Sequence, residues 1–217
     1  MKTILSCESL RLHLKEAQRK MKTDYPVVEI DSALHAVPKK MRKSVFSAME
    51  NLPEEVDMVL IAMGHCGGAL ADYPFPRRAV IPKVDDCITL LLHTDDTWYP
   101  NLKETGCMYL TDQIDGNFSI RRIRESLIER YGEKRGIGIF REWFKAYHSV
   151  KIIDTGVYDA YAPDYLKKAR ADAHTFNGEL THVPGSNLIL EKLVSGNWGH
   201  QFICVEKGQV LTTEDFV

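Results

Sequence analysis

Long apolar runs are missing from this sequence. The amino-terminal segment MKTILSCESLRLHLKEAQRK turns polar after a short apolar stretch, so neither a secretory h-region nor a cleavage site is expected there. No other segment approaches the roughly 18 to 20 apolar residues that span a bilayer. Cysteine is scarce, with five residues at irregular spacing and no CxxC pair. An odd count of that kind argues against a disulfide framework, and the expectation is a cytoplasmic protein with reduced thiols and no membrane partner. An excess of one charge is also lacking: the formal net charge is -2 and the pI is near 6.4. Nucleic acid is therefore not an expected partner. The mixed segment from Arg121 to Arg141 reads as a solvated helix face, because acids Glu125, Glu129 and Glu133 interleave its bases. Internal repeats, low-complexity tracts and the phosphate-binding patterns GxxxxGK[ST] and GxGxxG are absent too.

What is present is a globular composition, 44% hydrophobic and 27% charged, over 217 residues. That length suits a single α/β domain spanning residues 1–217, with two closely packed lobes as the alternative. Short β-type runs alternate with segments of helical periodicity, the rhythm of a mostly parallel, Rossmann-like sheet flanked by helices. Thr3 to Ser6, Pro26 to Ile30, Asp57 to Met63, Ala79 to Ile81, Cys107 to Leu110 and Lys151 to Asp154 read as strands. Helices are expected over Glu8 to Lys22, from Pro38 through Leu52 with Lys39, Lys40, Arg42 and Lys43 on a basic face, and after Asp85 as cap with Ile88, Leu91 and Leu92 inward. Further helices are expected over Ser119 to Tyr131, Gly138 to His148 beyond the break GEKRGIG, and Pro163 to Phe176, before a closing strand, short helix and strand. Trp143, Phe144, Tyr147, Cys107 and Cys204 are expected in cores.

In an open parallel sheet, ligands bind where loops leave the carboxyl ends of the strands. Here Cys7 follows the first strand, His35 the second, Cys66 the third, and Cys87 opens the helix after the fourth. Three thiolates and an imidazole suit tetrahedral zinc, and thiolates with or without histidine also hold iron-sulfur clusters. Cysteine is equally at home as a small buried hydrophobe, which competes most strongly at Cys7 and Cys87. Cys66 is the sharper candidate, lying in the loop GHCGG after the most apolar strand DMVLIAM, where glycine permits close backbone approach. A helix amino terminus at Cys66 or Cys87 would lower the thiol pKa. Gly64, His65, Gly67, Gly68, Asp85 and Asp86 complete the candidate cofactor-binding set. His65 has the alternatives of ligand, general base or loop residue, and the two aspartates those of histidine orienter or helix cap. His93, nearly two turns beyond Cys87, is left outside the ligand set.

Several of these segments together resemble a family of bacterial and archaeal proteins. The shared features are G-x-C-G at Gly64–Gly67, I-P-[RK]-x-x-D-C at Ile81–Cys87, the opening Cys7-Glu8, and Leu34-His35-x-x-Pro38. A closing V-P-G-x-x-x-[IL]-L-x-K-L-x-x-G-x-W pattern runs from Val183 to Trp198. The sequence departs from the family at Gly68, where asparagine is expected, and at His93-Thr94. The resemblance implies site roles for Cys7, His35, Cys66, Asp86 and Cys87. It also implies an association with corrinoid-dependent methyl transfer, with corrinoid or methyltransferase proteins as partners.

The leading expectation is thus a metal- or corrinoid-binding protein accessory to methyl-transfer metabolism, with zinc or a corrinoid as cofactor. One alternative is an iron-sulfur redox or reactivation protein. Another is a metal-free enzyme with Cys66 as nucleophile, His65 or His35 as base, and the Gly67-Gly68 amides as oxyanion donors.

Overall fold

The computed structural model describes residues 1–116 and 119–217. The elements in chain order are β1 (Lys2–Cys7), α1 (Arg11–Met21), β2 (Val27–Ile30), α2 (Pro38–Glu50), β3 (Met58–Ala62), β4 (Arg78–Pro82), α3 (Cys87–Leu92) and β5 (Cys107–Leu110). They continue with α4 (Ile120–Tyr131), α5 (Glu133–Phe144), β6 (Ser149–Asp154), α6 (Pro163–His174), β7 (Glu179–Pro184), α7 (Leu188–Ser195) and β8 (Phe202–Val205). Short 3-10 turns at Glu8–Leu10, Ser32–Ala36 and Thr213–Phe216 join or close them. This is the expected α/β class, built on mostly parallel sheets. The chain divides into two compact units, one of Met1–Leu102 with Ser186–Val217 and the other of Lys103–Gly185.

The first unit holds a five-stranded sheet in the order β2-β1-β3-β4-β8. β1, β2, β3 and β4 are mutually parallel where they pair, and β8 joins β4 antiparallel at the edge. β1 and β3 are buried almost throughout because both faces are covered, which is why they read as continuous apolar runs. Each Ile or Leu they bury contributes about 1.5 to 3 kcal/mol. From β1 the chain winds to β2 on one side and then returns to β3 on the other. With right-handed crossovers this reversal sends α1 and α2 to opposite faces and opens a crevice at the carboxyl ends of β1 and β3. α1 packs on α7, while α2 packs along β1 and β2. Leu14 and Ala17 of α1, and Met41, Val45, Phe46 and Met49 of α2, point into the core.

The second unit has the three-stranded parallel sheet β5-β6-β7. Its core gathers Leu110, Ile120, Leu127, Phe140, Phe144, Val150 and Ile152. Here the expected helix break GEKRGIG shrinks to Gly132, which caps α4, and α5 begins at Glu133 rather than Gly138. The helix continues through Gly136 because α4 and α5 cross closely: a Cβ there would lie 2.6 Å from the Leu127 carbonyl oxygen. Glycine in this stretch serves helix packing, not chain breaking.

Two side chains depart from their expected burial. Trp143 is 59% exposed, because its position on α5 lies off the face that carries Phe140 and Phe144 inward. Cys204 is exposed on β8, an edge strand with one neighbour. Cys107 is buried as expected. On the α4 segment, Arg121 bonds Asp172 and Asp115, and Arg122 lies 3.4 Å from Glu125, so these bases are engaged within the unit.

Candidate metal centre

Strand register brings the candidate ligands to one rim. Cys7 of β1 stands level with Ile30, the last residue of β2, and Ser6 is level with Ala62, the last of β3. His35 follows β2 in a 3-10 turn whose first amides are capped by the Asp31 side chain, accepting from Ala33 N at 2.7 Å. A second tie fixes that turn against the segment after β1: Ser32 Oγ donates to Glu8 Oε1 at 2.9 Å. His35 is thereby held with Nε2 3.4 Å from Cys7 Sγ, and Ser9 Oγ is 3.0 Å from the same sulfur.

Cys87 reaches the rim from β4. It is the first residue of α3, and Asp86, not Asp85, is the cap, its carboxylate accepting from Thr89 N at 2.9 Å. Of the residues expected inward on this helix, Leu91 is buried, whereas Ile88 and Leu92 are only half-buried and Cys87, Thr89 and Leu90 complete the buried face. Ligand atoms of Cys7, His35 and Cys87 all lie within 4.8 Å of one another, with both cysteines buried and the histidine half-buried.

Cys66 sits beside Cys87 but outside that three-atom group. No helix begins at it; residues 66–70 form a turn, and Cys66 has φ +49, a left-handed conformation rare for a residue with a side chain. The loop lies directly against the segment before α3. His65 N donates to Val84 O at 2.9 Å and Cys66 N to Asp85 O at 2.7 Å. Gly64 makes that approach feasible, since a Cβ on it would be 2.5 Å from Asp86 Cα. Its role is contact between two backbones of the site rather than contact with a ligand. Gly67 and Gly68 complete the turn, and Gly68 O accepts from Arg42 Nη2 at 2.7 Å and Nε at 3.1 Å.

His65 is turned toward the carboxyl-terminal segment. Its ring packs on Phe216 with centroids 4.6 Å apart, and its Nε2 lies 3.5 Å from Thr213 Oγ1. Burial holds its pKa below the ordinary imidazole value, opposed by the Asp85 carboxylate. His93 is buried and engaged with backbone: Nδ1 is 2.8 Å from Thr89 O, and Nε2 accepts from Tyr99 N at 3.3 Å.

The thiols shift in the direction opposite to a helix-terminus effect. The Cys66 side chain beside it, and then burial, push the Cys87 thiol well up, with Cys7 acting against them. The Cys87 side chain, and then burial, push Cys7 up as well, with His35 and Ser9 opposing. Crowded, desolvated sulfurs resist a second negative charge unless a cation shares the space.

The donor set fits a single thiophilic ion. Zinc with bonds of about 2.3 Å to sulfur and about 2.0 Å to nitrogen places tetrahedral ligand atoms roughly 3.5 to 3.8 Å apart, compatible with the 3.4 Å sulfur-nitrogen separation and the 4.8 Å limit of the group. An iron-sulfur cluster calls for four ligands spread over its irons, whereas this group supplies two thiolates and one imidazole. Tetrahedral zinc takes four ligands, and the Cys66 side chain lies beside Cys87 as the nearest further thiol.

Fold and site together define an α/β protein whose parallel sheet carries, at its switch point, a cysteine-histidine group able to hold a metal ion. The chain belongs to the DUF1638 family, described as protein of unknown function, which matches residues 30–194 and so includes His35, Cys66 and Cys87. No curated protein and no solved structure matches the chain.

Sequence reasoning missed the supports of this site. Ser9, the Glu8–Ser32 bond and the Arg42 clamp on Gly68 O come from residue types too common to announce themselves. The adjacency of Glu8 to Cys7 was the one available signal.

Proposed function

We propose that this protein is a metal-binding protein in which Cys7, His35 and Cys87 hold one thiophilic ion, zinc in the first instance, and Cys66 serves as an exchangeable fourth ligand. The observation that carries the proposal is the convergence of three donor atoms within 4.8 Å from three separate strand ends. Unrelated buried cysteines have no reason to meet a histidine there. Ser9 at 3.0 Å from Cys7 Sγ supports that thiolate by donating a hydrogen bond, and the Glu8–Ser32 bond keeps the His35 turn in place. When bound, such an ion supplies Lewis acidity and holds a coordinated thiol as thiolate at neutral pH. Cys66, half-buried and on a strained turn, is the donor best placed to leave and admit an outside group.

Service to corrinoid-dependent methyl transfer is the finer part of the proposal. It rests on the motif resemblance, with an activated thiolate as its chemical use. A metal-free nucleophilic role for Cys66 is the second reading, favoured by its left-handed backbone at φ +49. Elemental analysis of anaerobically prepared protein separates the two. One ion per chain, lost from Cys87→Ser and retained at reduced affinity in Cys66→Ser and His35→Ala, is the expected result. Protein free of metal after purification and after reconstitution, but alkylated selectively at Cys66, supports the second reading instead.

A further inference from the structure

The helix α2 carries a charge pattern at odds with its own dipole. Lys39, Lys40, Arg42 and Lys43 crowd its first two turns, and its first turn holds no acid. Cations are disfavoured at a helix amino terminus, where free N–H groups already supply positive potential. Arg42 is accounted for by its bonds to Gly68 O and its 3.5 Å contact with Asp72. Among the described residues, Lys39 and Lys43 have no hydrogen-bonding or ion-pair partner, although they stand one turn apart on the same face.

These two lysines line a cleft of about 470 Å³ together with Arg42, Phe46, Ser47, Glu50 and Tyr73. Its wall is aromatic: Phe46 is buried, Tyr73 is half-exposed, and their ring centroids lie 5.2 Å apart at 52°. Phe46 is braced in turn by Phe75 at 5.3 Å. A half-exposed ring held by a buried one offers a fixed flat surface at low ordering cost. Glu50 stands two turns beyond Lys43, so the cleft is cationic at one end and acidic at the other.

We propose that this cleft binds a small phosphate monoester bearing a planar ring, with the phosphate between Lys39 and Lys43 and the ring on Tyr73. Two unpaired ammonium groups match a dianion, and lysine suits phosphate as a point charge. An anion there also offsets the unfavourable cation-dipole arrangement of α2. Because Arg42 joins the cleft wall to Gly68, two residues from Cys66, the ligand would be anchored next to the loop that borders the cysteine group. Occupancy of the cleft does not require a metal in that group.

Calorimetric titration of the purified protein with AMP tests it, with adenosine and inorganic phosphate as fragment probes. Saturable one-to-one binding of AMP is expected, at least tenfold tighter than either fragment. Lys39→Gln with Lys43→Gln should weaken it at least tenfold and flatten its salt dependence, and Tyr73→Ala should weaken it severalfold. Lys40→Gln, on the same helix but outside the cleft, should leave it unchanged. The absence of saturable AMP binding overturns the proposal. So does equal loss in Lys40→Gln, which would mean diffuse charge attraction, or phosphate binding as tightly as AMP, which would remove the ring subsite. Metal content measured on the same variants keeps the outcome distinct from that of the metal reading, since none of these residues is a proposed ligand.

Discussion

In the first unit the segments leaving the carboxyl ends of parallel strands present thiols and an imidazole to one another, whereas in the second unit the corresponding segments are sealed by tyrosines. Tyr158 donates its hydroxyl to Ile153 O at 2.7 Å, Tyr165 donates to Thr111 O at 2.8 Å, and the two hydroxyls lie 3.5 Å apart. Burial pushes both phenols up, Tyr165 to about 12. Those side chains spend their polarity on backbone carbonyls. The donors of the first unit instead lie within 4.8 Å of one another, with Cys7 Sγ 3.4 Å from His35 Nε2. The same strand-end geometry can thus be closed by structure or left as a coordination site, and side-chain chemistry decides which.

The largest expected effect compares buried thiols of the two units. Cys87→Ser should weaken metal binding roughly a hundredfold or more, since even residues that merely support a metal ligand are worth about 10- to 100-fold. Cys107→Ser, at a buried thiol of β5, should leave it unchanged. Competition with a chromophoric chelator reads both affinities. Equal losses would erase the distinction between the units.

Acid-base behaviour sharpens the contrast. Cys7 and Cys87 titrate above the ordinary thiol value of 9.0 in the folded chain, so between the unfolded and folded values the native state holds more protons. The metal-free protein should therefore be stable below about pH 9 and lose stability as pH rises beyond it. Metal binding displaces those protons, so affinity should rise as pH increases from 6 to 8. Denaturation midpoints of the two forms against pH check both slopes, and a metal-free form stabilised by alkali would contradict the thiol environment described.

A smaller effect belongs to the second unit. Tyr165→Phe removes one hydrogen bond to Thr111 O and should cost about 1 kcal/mol of stability, with metal affinity untouched. Urea unfolding followed beside metal titration would show it. Smallest of all, Cys204→Ser should alter neither stability nor metal content, because that thiol is exposed on an edge strand. A measurable change in metal stoichiometry there would point to a ligand set other than the one proposed.

Much of this architecture was legible in the sequence because apolar periodicity reports burial directly. DMVLIAM reads as a doubly covered strand, and β3 is buried on both faces. The rim placement of Cys7, His35 and Cys87 followed from strand-helix alternation alone. The cap of α3 was not legible: Asp85 and Asp86 are chemically equal candidates, and in the fold the Asp85 carbonyl accepts from Cys66 N while the Asp86 side chain caps the helix. The helix amino terminus considered at Cys66 is a turn instead, since glycine content marks a turn without fixing the conformation of the residues beyond it. Trp143 and Cys204 were misplaced because hydrophobic character indicates a preference for burial but not which side of an element has a neighbour.

Cobalt(II) substitution tests the central claim most directly, because thiolate-to-cobalt charge transfer appears only when sulfur binds the ion, and the ligand-field bands report its coordination number. Metal-free protein titrated anaerobically with cobalt(II) should develop an intense near-ultraviolet charge-transfer band and tetrahedral visible bands saturating at one equivalent. In Cys87→Ser both should be strongly diminished, and in Cys107→Ser unchanged. A weak octahedral spectrum without charge transfer in the unaltered protein, or full charge transfer surviving the loss of both Cys7 and Cys87, would contradict the assignment of these residues as a metal centre.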